Sequence, residues 1–277
     1  MIKRSLGLAI FVLAGCGTTA GVQEFQTYAS AFSSVVEASD SVLNEMAAEE
    51  KAKRIRVIDG NSISDTLERK DIPLFAPSAD PPFVASVRFA VHSVAEMNGI
   101  LLAYAEGRAL DGLKEDVAGL QAAGLGFSAT EVAEPAAKAI NAEILVLGEV
   151  LSFASDIGSR EAFRAELVKA SDQINTVLDV VLNQSTTAYR TLTSSEFRAL
   201  RGSSPEQAVQ IRQDIATERE MLAEWLYLIE LSQVALNKAV SAATGSPDQN
   251  TRLVEAALLT GDLRARAERI KRLAAEN

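Results

Sequence analysis

Few side chains in this sequence are of the kind that do acid–base, metal or nucleophilic chemistry, and their spacing limits them further. His92 is the single histidine, so any site needing two imidazoles is excluded, the paired Glu-x-x-His arrangement of di-iron bundles among them. A Ser-His-Asp relay through His92 has no nucleophile elbow to support it. Set between Val91 and Val94, close to an apolar seam, His92 reads as a partly buried structural histidine. The carboxylate pairs Glu49–Glu50 and Glu218–Glu220 have the chemistry for a hard cation, or for an acid and a base. Each has a basic neighbour, Lys51 or Arg219, so a solvated salt-bridge network on a helical face is the expectation. Gly107 to Gly112 and Gly124-Leu125-Gly126 lack the lysine and the strand that phosphate-cradling loops require, and read as helix ends. No catalytic residue, metal ligand or cofactor is assigned, and no enzymatic activity is expected.

The remaining distinctive residue is Cys16, the only cysteine of the 277 residues. A single cysteine permits no intrachain disulfide, so packing alone must hold the fold. Before it come Lys3 and Arg4, an apolar run from Leu6 to Leu13, and the small residues of Leu13-Ala14-Gly15-Cys16. That is the layout of a secretory signal, too short to span a bilayer as a mature anchor. The closing tetrapeptide resembles the lipobox of bacterial lipoproteins, in which the cysteine is acylated as the first residue of the mature chain. The resemblance covers residues 1–16 only. It implies a signal peptide over 1–15, attachment of lipid such as palmitate at Cys16, and a place in the cell envelope. Two or more acyl chains anchor stably, at about 0.8 kcal/mol per buried methylene. A conventionally cleaved signal with an incidental Cys16 is the alternative. Gly17 stands where an aspartate would signal inner-membrane retention, which implies the periplasmic face of the outer membrane.

Charge narrows the partners. The whole chain carries −10 and the leader takes Lys3 and Arg4 with it, so the mature chain sits near −12. Nucleic acid needs basic patches that this balance does not supply. A polybasic grip on anionic lipid is equally disfavoured, leaving acyl chains as the membrane contact.

The rest of the sequence reads as helices. After a small, polar tether over 16–21, Phe25, Tyr28, Phe32, Val35, Ser39, Val42 and Met46 step by three and four, one apolar seam on a helix over about 22–56. The aromatics among them are read as core rather than as a partner surface or ligand groove. Asp59-Gly60-Asn61-Ser62 and Pro73, Pro77, Pro81 and Pro82 make 57–82 an irregular connection, a packed crossover in preference to a binding loop. Asp80-Pro81-Pro82 opens the next helix with a capping acid, and Val87, Ala90, Val94, Met97, Leu101 and Tyr104 continue it toward a break near Gly107 to Gly112. Ser128-Ala129-Thr130-Glu131 has capping-box spacing. Residues 140–157 are apolar nearly all round, but Glu143, Glu149 and Asp156 argue for burial in protein over membrane insertion. One helix is expected from Ser159 to about 200. Gly202-Ser203-Ser204-Pro205-Glu206-Gln207 is the clearest boundary, with serine cap, early proline and Gln207 at capping-box distance. The helix it opens carries Ile211, Ile215, Leu222, Trp225, Ile229 and Leu236, with Trp225 on the seam and Tyr227 outside. Gly245-Ser246-Pro247 precedes a last helix with Leu253, Leu263 and Ile270.

The sequence thus predicts an all-α fold, an elongated and mostly antiparallel bundle of about six long helices, as a single domain over 22–277 with sub-boundaries at 57–82 and 201–205. Its expected role is a lipid-anchored envelope protein that binds or spaces without catalysis, with the membrane, through its acyl chains, and an unidentified envelope protein as the expected partners. Two other readings stand beside it. One is a pore-forming or membrane-remodelling protein using 140–157, and the other a peptidoglycan- or small-ligand-binding module with a groove near 57–82.

Overall fold

Along the described helices most apolar residues that step by three and four are buried, Tyr189 and Ile211 only partly so, and this burial explains the architecture. The computed structural model describes residues 22–58, 75–76, 79–106, 160–244 and 249–276. Among them are seven α-helices: α1 (Val22–Ile58), α2 (Pro82–Ala105), α3 (Arg160–Leu182), α4 (Ser185–Leu192), α5 (Ser194–Ala199), α6 (Pro205–Thr244) and α7 (Gln249–Glu276), with a 3-10 turn at Leu200–Gly202. The described residues contain no strand, and the fold is an all-α bundle.

On α1 the whole seam from Phe25 to Met46 is buried, Ser39 included. Phe25, Tyr28 and Phe32 stack in series with ring centroids 5.8 and 5.9 Å apart, as core side chains do. With 37 residues at about 1.5 Å each, α1 is about 55 Å long. Each large apolar side chain removed from water along it contributes about 1.5–3 kcal/mol.

Four helices close a ring. α1 packs on α2 and α6, and α3 packs on the same two from the opposite side. Polar links give the directions. Tyr28 meets Asn98 while Asp40 meets Arg88, so α1 and α2 are antiparallel. Asn175 donates to Asn237 and Gln233 to Asp179, which sets α3 against α6 in the same sense. α7 lies against both α1 and α6. It runs opposite to α6, with Arg269 on Glu220 and Lys238 on Glu255. Against α1 it is parallel, because Arg264 reaches Ser30 and Lys271 reaches Glu37. One parallel pair therefore interrupts the mostly antiparallel arrangement.

Several boundaries differ from the sequence expectation. Asp80 does not cap α2: the first amide bond runs from Ala85 N to the Pro81 carbonyl, and Asp80 instead takes the Arg88 guanidinium at 2.6 Å. The single helix expected from 159 to 200 is three. Asn183 and Gln184 close α3 with a tightened turn, Gln184 N bonding back to Val181 O, and Thr193 separates α4 from α5 with both its amide and its hydroxyl on Tyr189 O. Short polar side chains that bond to nearby backbone interrupt helices in this way. At the 202–207 boundary the expected capping box is present: Ser204 N donates to Gln207 Oε1 at 3.0 Å and Gln207 N to Ser204 Oγ at 3.4 Å.

Candidate functional site

The two breaks around α4 turn the chain back across one end of the bundle, the end opposite Val22. There α4 and α5 lie on the C-terminal half of α1 and on the N-terminal half of α6. This corner gathers most of the unusual chemistry among the described residues.

Its inner side is acidic. Ser195 donates its hydroxyl to Glu49. Around that bond stand Glu45 on α1, Glu196 on α5, and Asp214 and Glu218 on α6, close enough to disfavour one another's charge. Burial pushes the Glu218 carboxyl up to about 8, with Glu196, Glu49, Asp214 and Glu45 adding to the shift in that order. Burial also raises Glu196, opposed by its own backbone amide, and raises Glu45, with Glu49 contributing. One oxygen each of Glu196 and Glu218 is enclosed without a hydrogen-bond partner. With its pKa near 8, Glu218 keeps its proton at neutral pH. Among the described residues, no group of three or more His, Cys, Asp or Glu side chains converges as a metal site.

The solvated salt-bridge network expected of Glu218 with Arg219 is not formed. Arg219 turns to the other side, donating to the Tyr189 hydroxyl at 2.8 Å with its guanidinium 5.3 Å from the ring centroid. Glu220 pairs with Arg269 at 2.6 Å. Lys51 donates to the Ala76 carbonyl at 2.8 Å. Helix geometry explains the separation: 218, 219 and 220 point in three directions about 100° apart, so neighbours in sequence are not neighbours in space.

Outside, the corner is aromatic and basic. Phe197 is 46% exposed and stands edge-on to Tyr189, centroids 6.3 Å apart. Two hollows adjoin them. One, of about 280 Å³, has Leu222, Ala223 and Leu226 as its apolar wall and Ser185, Thr186, Tyr189 and Arg219 as its polar rim. The other, of about 530 Å³, is lined by Arg198, Gly202, Ser203, Gln207, Gln210 and Ile211, with Ala199. None of Glu45, Glu196, Phe197, Arg198 or Asp214 stood out in the sequence, since only the return of α5 onto α1 and α6 brings them together.

The other expected sites are placed as follows. His92 is exposed rather than partly buried, with a 48% accessible side chain 3.0 Å from Asp40. It sits at the edge of a network in which Arg88 bonds Asp40, Asp80 and Asn44. Trp225 is 1% exposed and Tyr227 46% exposed under the Arg266 guanidinium, as their spacing implied. Cys16, the tether, most of 57–82, the glycines at 107–112 and 124–126, Ser128 to Glu131, 140–157 and Gly245 to Pro247 lie outside the described residues. No described helix is long and apolar enough to cross a membrane. Compared with known proteins, the chain matches no family model, no characterised sequence and no solved structure.

Proposed function

We propose that this chain is a lipid-anchored envelope protein, held to a membrane by acyl chains on Cys16, whose helical bundle binds or spaces other envelope components without catalysing a reaction. The observation that carries the reading is the succession of Lys3-Arg4, Leu6 to Leu13 and Leu13-Ala14-Gly15-Cys16 directly before a bundle whose first helix begins at Val22. A tether of five residues between Cys16 and Val22 spans at most about 18 Å, which holds the Val22 end close to the lipid surface. α1 then carries its other end about 55 Å away. Placement on the periplasmic face of an outer membrane follows from Gly17 in place of an aspartate.

The test is Cys16→Ser. The wild-type chain should incorporate labelled palmitate and sediment with membranes, and the variant should lose the label and appear in the soluble fraction as a folded helical protein. A variant that remains membrane-bound after cleavage of residues 1–15 overturns the anchor.

A further inference from the structure

We infer that the outer side of the α4–α5–α6 corner is a docking face for a polypeptide segment that alternates carboxylate side chains with aromatic or aliphatic ones. Three observations converge on that chemistry. First, Phe197 presents nearly half its surface to solvent although it is backed by Tyr189, and Arg219 backs Tyr189 in turn. Exposed aromatics braced by arginine are the residue types on which protein interfaces concentrate their binding energy. Second, the hollow beside them has an apolar wall of Leu222, Ala223 and Leu226 and a rim of hydroxyl and guanidinium groups. An aromatic or aliphatic side chain fits the wall, and a flanking carboxylate fits the rim.

Charge is the third observation, and it bears on the partner. Arg190, Arg198 and Arg201 on this corner and Arg212 on α6 are exposed and make no ion pair with a described residue, as is also true of Arg164 on α3 and Arg264 and Arg272 on α7, whereas Arg88, Arg266 and Arg269 are paired with carboxylates. The corner's described acids are not in contact with them: Glu196 and Glu218 are half-buried on the inner side, while the exposed carboxylates of Asp214 and Glu206 accept from Gln210 and Ser204. Guanidinium groups left open in this way match carboxylates in bidentate geometry. An exposed aromatic, an apolar hollow and unpaired arginines on one corner call for a chain that carries both kinds of side chain, so a polypeptide is favoured over a simple polyanion.

The inference rests on the proposed function for where the face points, since an anchor at Cys16 directs this corner away from the membrane. Its test does not need the anchor. Full-length chain, as wild type and as Cys16→Ser, is titrated with fluorescent poly(Glu,Tyr) random copolymer, with poly-glutamate, heparin and anionic phosphatidylglycerol vesicles as comparisons. Both chains should bind the copolymer alike and at least tenfold more tightly than poly-glutamate. The double variant Phe197→Ser/Arg198→Ala, both exposed positions, should weaken copolymer binding at least tenfold with an unchanged melting curve. Val254→Ser/Leu258→Ser, exposed on α7, should leave it unchanged. No copolymer binding by the wild type, equal binding by the Phe197/Arg198 variant, or heparin or vesicle binding as tight as the copolymer's and equally dependent on those two residues each overturns the assignment. Failure of the lipid-labelling experiment alone leaves it intact.

Discussion

The indole Nε1 of Trp225 donates to the hydroxyl of Ser39 at 2.9 Å in the middle of the bundle. Ser39 passes the bond on to the Val35 carbonyl at 2.7 Å. Both side chains are buried, so this is a polar cross-tie between α6 and α1 inside an otherwise apolar seam. It favours this rotation of both helices, because turning either one takes the buried indole N–H away from its acceptor.

Ser39→Ala leaves the indole N–H buried without an acceptor and should lower stability by about 1–2 kcal/mol. Urea unfolding followed by Trp225 fluorescence measures it. A cycle with Trp225→Phe, followed by circular dichroism, should give a coupling larger than about 0.5 kcal/mol. Strict additivity would mean that the tie contributes nothing.

Glu218 should make the chain less stable as pH rises. Its folded pKa of about 8 lies above the ordinary 4.5, so the folded state holds the proton more tightly. The group costs nothing below about pH 4.5, its penalty grows from there to about 8, and above that the penalty is constant. Because the side chain is only half-buried, screening by solvent holds the penalty to about 1–2 kcal/mol. Glu218→Gln should therefore stabilise the protein at pH 9 and flatten the profile between pH 5 and 9. Identical melting profiles for the two proteins would remove the account of a carboxyl kept protonated by burial among other acids.

Arg88 joins the ends of three side chains: Asp80 at 2.6 Å, Asp40 at 2.5 Å and Asn44 at 2.9 Å. Arg88→Ala should cost about 1–2 kcal/mol, since it leaves two partly buried carboxylates without their cation. Arg88→Lys should recover less than half, because an ammonium cannot fork to three acceptors held in different directions. Thermal denaturation of the two variants separates the cases, and full rescue by lysine would reduce the network to a simple charge contact.

Ser204→Ala removes one half of the capping box and should cost about 1 kcal/mol. Its signature is local: amide exchange at Gln207 should accelerate while amides around Trp225 keep their protection. Uniform acceleration along α6 would show that the cap contributes only to global stability.

The seams were legible because they depend on spacing alone: Phe25 to Met46 and Val87 to Leu101 needed nothing beyond the helical period to be placed inside. The capping box at Ser204 and Gln207 was legible because its four residues are local. Asp80 misled because an acid before two prolines has the form of a cap, while its actual partner, Arg88, lies two turns on. The breaks at Asn183 and Thr193 were missed since an apolar stripe running through Tyr189 and Leu192 continues across them, and periodicity does not register a competing hydroxyl. The acidic cluster could not be read at all. Glu49, Glu196 and Glu218 are distant in sequence, and their juxtaposition depends on those same two breaks.

The parallel pairing of α1 and α7 also sets a schedule. Ser30 and Glu37 wait for Arg264 and Lys271, 234 residues later in the chain. At the pace of synthesis, about 5–20 residues per second, the flank of α1 that α7 covers stays open for on the order of 10–50 seconds after α1 is made. Leu263, Ala267 and Ile270, all fully buried in the finished bundle, arrive only after that interval. During it the nascent protein carries an uncovered apolar strip that chaperones can hold, and a chain cut short before α7 keeps that strip permanently.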